Sequence, residues 1–381
     1  MLRLRSLLRM AEDTAAKRLK TSPPTIGTHN GHFHADEALA VYLLRLLPTY
    51  TSSPLVRTRD PSLLATCHTV VDVGGEYDPS RNRYDHHQRT FTATFPQHST
   101  KLSSAGLIYL HFGKAIIAQH TSLPPDHPDV ATLYEKLYSD FIEALDANDN
   151  GISVYDNAAL NAAGVRKRFR DSGISLGALV GDLNHPDPTA TGPQDEDALF
   201  ENASKFIGDA FLRKLRVASA SWLPARATVS EAYKARFDTH ASGRILVLPK
   251  AGIPWKEHLF VLEEEAAAAA AAARAEAEAG KIGGAHADRR QVYYVLYPES
   301  TSPDAKWRVQ CVPVTDTSFE SRRPLPEAWC GIRDEDLDKL LASEETSVVV
   351  PPGAVFVHAT GFIGGHATRE GAFAMAVRSL G

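Results

Sequence analysis

TIGTHNGHFHADEALA (Thr25–Ala40) joins a short apolar run, three histidines and the opening of a helix, and the chain can be read outward from it. TIGTH (Thr25–His29) reads as a short strand. From His34 to Leu47 the residues Leu39, Leu43, Leu44, Leu46 and Leu47 recur at helical spacing, and Pro48 stops the pattern. LVRTR (Leu55–Arg59) is a second strand, Pro61–Ala65 opens a short helix, and TVVDVGG (Thr69–Gly75) is a third strand ending in a Gly-Gly turn. Short strands separated by helices imply a parallel sheet covered on both faces. Lys101–Gln119 and Ala131–Leu145 read as further helices, completing an α/β domain over residues 25–190.

Pro186–Gln194 (PDPTATGPQ) is rich in breakers. Asp195–Leu215 is a long amphipathic helix, read as a linker across 191–225. Residues 226–381 are more β-like, with strands expected in RILVLP (Arg244–Pro249), QVYYVLYP (Gln291–Pro298), WRVQCVPV (Trp307–Val314) and AVFVHA (Ala354–Ala359). A last helix, Arg369–Leu380, follows the turn GFIGGH. The expected class is therefore α/β: an N-terminal parallel-sheet domain with a smaller C-terminal α+β domain. The alanine-rich stretch 263–281 reads as a solvated helical insert with no catalytic role.

Of the 381 residues, 43% are hydrophobic and 23% charged, a globular balance. No run of about 18 apolar residues occurs, so no helix is expected to span a membrane. With 41 Lys and Arg against 46 Asp and Glu, the formal charge is −5. No global basic field draws in nucleic acid, and a polyanion site has to be local or organised by bound cations. Cys67, Cys311 and Cys330 form no CxxC pair, which argues for a reducing compartment and against a disulfide or cysteine-zinc framework. The tail, 1–24, opens with MLRLRSLLRM, like a mitochondrial presequence. AAKRLK (Ala15–Lys20) would equally serve nuclear import.

Five histidines fall in two tight groups: His29, His32 and His34 beside Asp36, and His86 and His87 beside Asp85. Asp72 ends the third strand, and LDANDNG (Leu145–Gly151) places Asp146 and Asp149 at a helix terminus. The carboxyl ends of parallel strands line one crevice, so His29 and Asp72 can converge there. Taken singly, these residues read blandly, as helix caps, a solvent-facing acid or a turn cap. Taken together they amount to a density of buried charge that costs too much without cations. Imidazole mixed with carboxylate suits Mn²⁺ or Mg²⁺, and a pair of such ions can clamp both oxygens of a phosphoryl displacement, with Asp72 bridging.

These segments resemble the DHH phosphoesterase superfamily, named for the triplet seen here as Asp85-His86-His87. Its motifs are matched in order by His29…His34-x-Asp36, Asp72, Asp85-His86-His87 and Asp146. The chain is still more similar to the melanocyte proliferating gene (Myg) exonuclease family of eukaryotes. That likeness rests on Ile26–Ala40, Val70–Phe91, Ala144–Ser153, Phe319–Leu337 and Gly361–Ala376. In one departure, His34 stands where the superfamily commonly has an aspartate, after a span one residue longer. In another, Gly364-Gly365-His366 does not reproduce the superfamily's three-glycine-plus-histidine signature.

The resemblance implies a metal-dependent phosphodiesterase that trims single-stranded RNA from the 3′ end, in the mitochondrial matrix and the nucleus. Two divalent cations are implied, Mn²⁺ favoured over Mg²⁺. One would be held by His29, His34 and Asp72, the other by Asp36, Asp72, His86 and Asp146. His87 would contact the scissile phosphate and Asp85 would orient a neighbouring histidine, while His32 would be a bystander. In the second domain, backbone N–H groups at Gly361, Gly364 and Gly365 would approach a phosphate, with His366 and Arg369 alongside; the alternative is a tight strand-to-helix turn that needs glycine for its φ angles. Read from their residue types, Lys250, Trp255 and Lys256 would offer one stacking surface and two cations, and Trp255 reads almost equally as a core residue. No stable protein partner is expected, and an oligomer is compatible with the sequence. The competing readings are a pyrophosphatase or small-nucleotide phosphodiesterase with the same metal site, and a non-catalytic RNA-binding module.

Overall fold

The computed structural model describes residues 23–170, 172–185, 189, 195–278, 291–343 and 347–381. The expectations for the tail up to Ser22, for most of the breaker-rich stretch and for the end of the alanine-rich insert lie outside them. The chain divides into two compact units, the first ending at Ala218 and the second running Ser219–Gly381.

The first unit opens with β1 (Ile26–Thr28), α1 (Ala35–Arg45), β2 (Leu55–Arg57), α2 (Pro61–Thr66), β3 (Thr69–Val71), β4 (Tyr77–Asp78) and β5 (Arg83–Tyr84). The sheet order is β2-β1-β3-β5-β4, with β4 alone antiparallel to its neighbour. Ile26 lies opposite both Leu55 and Thr69, so β1 is central, and β3 passes directly to β5. The sequence reading missed the β4–β5 hairpin because each strand is two residues long. Its turn is set by Asp78, which accepts from Ser80 N, and by Asn82 at φ 56°.

Helices α3 (Ser104–Thr121), α4 (Pro128–Leu137), α5 (Glu143–Asp149), α6 (Asn157–Ala162), α7 (Leu176–Asp182) and α8 (Glu196–Val217) complete the unit. Leu39, Ala40, Val41, Leu43 and Leu44 of α1 are all fully buried. A helix apolar on every side has to be covered on every side, and α1 packs against both α3 and α8. The helix expected over Ala131–Leu145 is interrupted: one π turn, Tyr138–Ile142, separates α4 from α5.

The linker expected at 191–225 gives way to a different arrangement. Helix α8 belongs to the first unit: Phe200 meets the Phe33 ring edge-on at 5.7 Å, Ser204 Oγ donates to Ala38 O, and Arg45 pairs with Glu201. Buried Phe200, Ile207, Phe211 and Leu215 form its inner stripe, and hydrophobic burial against α1 outweighs any bridging role.

The second unit contains α9 (Leu223–Lys234), α10 (Arg236–Thr239), β6 (Ile245–Val247), α11 (Lys256–Glu278), β7 (Tyr294–Pro298), β8 (Trp307–Cys311), α12 (Asp334–Ser343), β9 (Ala354–Val357), β10 (Ile363–His366) and α13 (Arg369–Arg378). Its sheet runs β6-β7-β8-β10-β9, parallel only between β6 and β7. Strand alternation sorts two cores. Tyr294, Leu296 and Val309 pack with Trp329 and Met375 on one face, and Leu246 and Val295 with Trp255 and Leu259 on the other. All three cysteines are free thiols. Among the described residues no helix is long and apolar enough to cross a membrane.

The α1–α8 contact depends on Gly208, where a Cβ would fall inside the Tyr42 ring. Gly208→Val is expected to cost about 1–3 kcal/mol by overpacking. Gly173→Ala, at a site with nothing within 4 Å of the new atom, should stay within about 0.5 kcal/mol. Thermal denaturation of the two variants checks the comparison.

Candidate metal centre

The carboxyl ends of β1 and β3 deliver His29 and Asp72 to one point, the hairpin delivers Asp85, His86 and His87, and the start of α1 delivers His34, Asp36 and Glu37. His29 Nε2 lies 3.1 Å from Glu37 Oε1 and 3.3 Å from Asp72 Oδ2. On the other side of Asp72, His86 Nε2 lies 3.2 Å from Oδ1, and 3.1 Å from Asp149 Oδ2. Three sets of donor atoms each fall within 4.8 Å of one another: His29, His34, Glu37 and Asp72; Asp72, His86 and His87; and His34, Asp36 and Asp149. Asp72 joins the first two and His34 joins the first to the third.

Local structure fixes these side chains. Asp72 sits at φ 58°, a left-handed backbone that strains a residue with a Cβ and that tight functional turns retain. Ser104 Oγ donates to its Oδ1 at 3.0 Å. His34 N donates to both Glu37 oxygens, closing the first turn of α1 as a capping box. Asn184 grips the loop before α1 through Phe33, accepting from its N–H and donating to its carbonyl, each at 2.8 Å. Arg57 Nη2 donates to Gly31 O from the other side. Asp85 accepts from the backbone N–H groups of Gly75, His86 and His87, and holds His87 Nδ1 at 2.7 Å. The His87 side chain is 61% exposed, so its remaining nitrogen is left for a ligand.

The electrostatics are those of a site lacking positive charge. Among the described residues, both oxygens of Asp36 and Nδ1 of His86 are buried with no hydrogen-bond partner. Burial, with the charges of Asp72 and Glu37 beside it, holds the Asp36 carboxyl well above its ordinary range. Burial disfavours a charged His29, but its hydrogen bonds to the Asp72 and Glu37 carboxylates prevail and push it up to about 10. His86 is treated the same way, burial opposing and Asp149 and Asp72 prevailing, and rises to about 9. Asp72 is driven below the usual carboxylate range, its two histidines overcoming burial. The His29 Nδ1 contact with Asn30 O, at 3.2 Å, leaves Nε2 as the ligating atom. A divalent cation fits this donor set: it would satisfy the orphaned oxygens of Asp36 and take the place of the protons on His29 and His86.

The matching model, MYG1_exonuc, described as an uncharacterised protein family (UPF0160), spans residues 25–380. The chain belongs to the MYG1_exonuc family. The human relative named MYG1 exonuclease is 46% identical over 367 residues, covering 94% of this chain and 86% of its own. A Dictyostelium discoideum relative, MYG1 protein, is 42% identical over 360 residues, covering 93% and 96%. In Saccharomyces cerevisiae the identity is 41% over 356 residues, covering 93% and 95%.

In this member of the MYG1_exonuc family the structure brings together six sequence-nominated residues, His29, His34, Asp36, Asp72, His86 and His87, and sets Asp85 behind them. Asp146 is a correction. Fully buried, it accepts from Ser103 N, Ser103 Oγ, Gly106 N and Tyr138 Oη, capping the start of α3 instead of joining the cluster. Burial still pushes its carboxyl up to about 7 against the pull of those donors. Asp149, one turn on, holds the place expected of Asp146. Glu37 was also missed, although the spacing His34-x-x-Glu37 is a capping-box signal. His32 lines the neighbouring cleft, outside all three donor sets.

The second unit corrects the substrate-binding expectations. Trp255 is buried in the core with Leu259 and Val292, so it offers no stacking surface. Gly364 and Gly365 lie inside strand β10, paired on both sides. There a Cβ would crowd Leu325 and Phe356, so the glycines serve close strand packing and do not cradle a phosphate. His366 is buried, bonded to Pro351 O and Thr368 N. Gly361, at φ 69°, turns the chain with its N–H given to His358 O. Lys250, Lys256 and Arg369 are exposed, Arg369 standing 5.8 Å over the Trp307 ring.

Two kinds of outcome follow for the centre, the first for two variants. Asp149→Asn is expected to weaken Mn²⁺ binding in a calorimetric titration while leaving the melting temperature in EDTA unchanged or higher. Asp146→Asn should lose about 1–3 kcal/mol of stability, because an amide cannot answer all of the buried donors. The second concerns protons. The histidine pKa values are raised, so at pH 7 both rings are protonated and a bound ion has to displace those protons. Metal binding should therefore release protons, and affinity should climb from pH 6 to pH 9, as titrations in buffers of different ionisation enthalpy would show.

Proposed function

We propose that the chain is a metal-dependent phosphodiesterase that removes nucleotides from the 3′ end of single-stranded RNA, using two divalent cations, with Mn²⁺ favoured over Mg²⁺. The observation that carries this reading is the set of interlocking donor clusters sharing Asp72 and His34. It opens on a cleft of 630 Å³ bounded by His86, His87, Asp36 and Asp149. The name of the human relative, MYG1 exonuclease, supports the choice of a nucleic-acid phosphodiester over other phosphates.

His29, His34 and Asp72 would hold one cation, with Glu37 close by, and Asp36, Asp72, His86 and Asp149 the other. Divalent cations bound there supply Lewis acidity for displacement at phosphorus. The remaining work falls to the protein. Asp85 fixes the tautomer and orientation of His87, whose free nitrogen would meet a phosphoryl oxygen. Ser104 Oγ, donating to Oδ1 of Asp72, steadies the carboxylate that both sites would share. Burial of Asp36 and Asp72 keeps water from screening the centre. The basic, leucine-rich sequence before residue 25 supports action in mitochondria and the nucleus.

A pyrophosphatase or small-nucleotide phosphodiesterase draws some support from a smaller cavity of 260 Å³ beside His29 and Asp72, sized for a compact phosphate. A non-catalytic RNA-binding module leaves the carboxylate cluster without a use. Purified protein would be incubated with 5′-labelled RNA, its DNA counterpart or pyrophosphate, each with Mn²⁺, Mg²⁺ or EDTA, beside an Asp72→Asn control. A metal-dependent ladder shortening from the RNA 3′ end, at least 100-fold slower in the variant (a rough scale for losing one electrostatic stabiliser), is the expected result. Turnover of pyrophosphate alone would refute the RNA reading.

A further inference from the structure

Two cavities flank the cluster, and His34 and His87 belong to the walls of both. The histidines apart, each cavity is lined by one basic residue: Arg59 in the cavity of 260 Å³ and Lys101 in the cleft of 630 Å³. We infer that these two residues form a phosphate clamp across the centre, with Arg59 on the scissile phosphate and Lys101 on the next phosphate of the bound strand. The inference rests on the phosphodiesterase reading above and adds the cationic side chains which that reading lacks.

Arg59 is anomalous among its neighbours. Between β1 and β5 every other arginine is spent: Arg45 on Glu201, Arg57 on Asp197 and Gly31 O, Arg81 on Glu76, and Arg83 on carbonyls including those of His68 and Cys67. Arg59 alone has no hydrogen bond or ion pair among the described residues. Its backbone is nevertheless held on both sides. Thr58 N donates to Thr28 O at the end of β1, and the Asp60 carboxylate accepts from Ser62 N to start α2. The nearest acid in sequence is thereby engaged elsewhere, and the guanidinium stays available beside Asp72 and His87.

Lys101 is anchored independently. It bridges Thr94, and its carbonyl accepts from Asn150 Nδ2 at 2.9 Å, one residue past Asp149. Its Nζ stands 5.4 Å over the Phe91 ring and makes no ion pair among the described residues. Both cations are therefore carried on backbone tied to the strands and helices that build the centre.

The chemistry calls for such groups. Asp36, Glu37, Asp72, Asp85 and Asp149 supply five carboxylates, so two divalent cations leave the centre slightly negative, and an incoming phosphodiester is anionic too. A guanidinium matches two phosphoryl oxygens with a planar fork, whereas an ammonium acts as a point charge suited to a more mobile phosphate. Arg59 beside Asp72 would take the charge that develops on the reacting phosphate, and Lys101 would hold the chain in register.

The test uses the full-length protein loaded with stoichiometric Mn²⁺, comparing wild type with Arg59→Gln, Arg59→Lys and Lys101→Gln. Calorimetric Mn²⁺ titration and thermal denaturation come first, and both should match wild type in every variant. Arg59→Gln should then weaken orthophosphate binding at least tenfold and lower kcat on RNA by 10-fold or more, with Arg59→Lys recovering part of the binding. Lys101→Gln should lower kcat/KM at least fivefold more on a ten-nucleotide RNA than on a dinucleotide. Wild-type orthophosphate affinity in Arg59→Gln, or an equal effect of Lys101→Gln at both lengths, would overturn the clamp. Should wild type leave RNA intact yet bind orthophosphate through Arg59, the exonuclease reading falls and the Arg59 contact stands. Should RNA be trimmed at wild-type rates by both variants, the clamp falls and the exonuclease reading stands.

Discussion

Negative charge taken out of water is the constraint on which the first unit depends. Asp36, Glu37, Asp72 and Asp85 are all buried around two buried imidazoles, and burying a charge is costly unless it is paired. Asp72 and Asp85 find partners within the protein, and Glu37 accepts from the start of its own helix. Asp36 has none. The cluster is thus balanced for an added cation, and protons on His29 and His86 occupy that role only in part.

Around this cluster the protein uses backbone more than side-chain bulk. A left-handed Asp72, the amides that converge on Asp85 and the asparagine clasp on Phe33 hold short loops at the ends of three-residue strands. Those strands supply little hydrogen bonding of their own. Rigidity comes instead from α1, packed against α3 and α8, so Asp36 and Glu37 stand on a helix buried along most of its length. The second unit is built differently, with a mostly antiparallel sheet whose alternating side chains feed two separate cores.

Most of the first unit was legible in the sequence, because its strands and helices alternate and its histidines fall at strand ends. Where the reading failed, the cause was distance along the chain or shape in space. Helix α8 looked like a bridge because amphipathicity reveals that a stripe is buried but not what buries it. Asp146 and Asp149 sit on the same turn in the same chemical company, and only the position of Ser103 and Gly106 decides which of them is a cap. Trp255 and the Gly364-Gly365 pair carry the residue types of a nucleic-acid surface, yet core packing and strand crowding ask for the same types. Arg59 and Lys101 escaped notice because neither belongs to a motif; their meaning comes from the cavities they line.

The π turn at Tyr138–Ile142 has a consequence for how this site is kept in register. A π turn accommodates an additional residue in a helical path, and each residue of an α-helix rotates the next by about 100°. In a regular helix one added residue would swing everything beyond it round the axis by that angle; the wide turn absorbs the residue instead, so Asp146 stays on the amides of α3 and Asp149 stays beside His86. Cap and neighbour of His86 therefore share one register, and that register is set by the π turn.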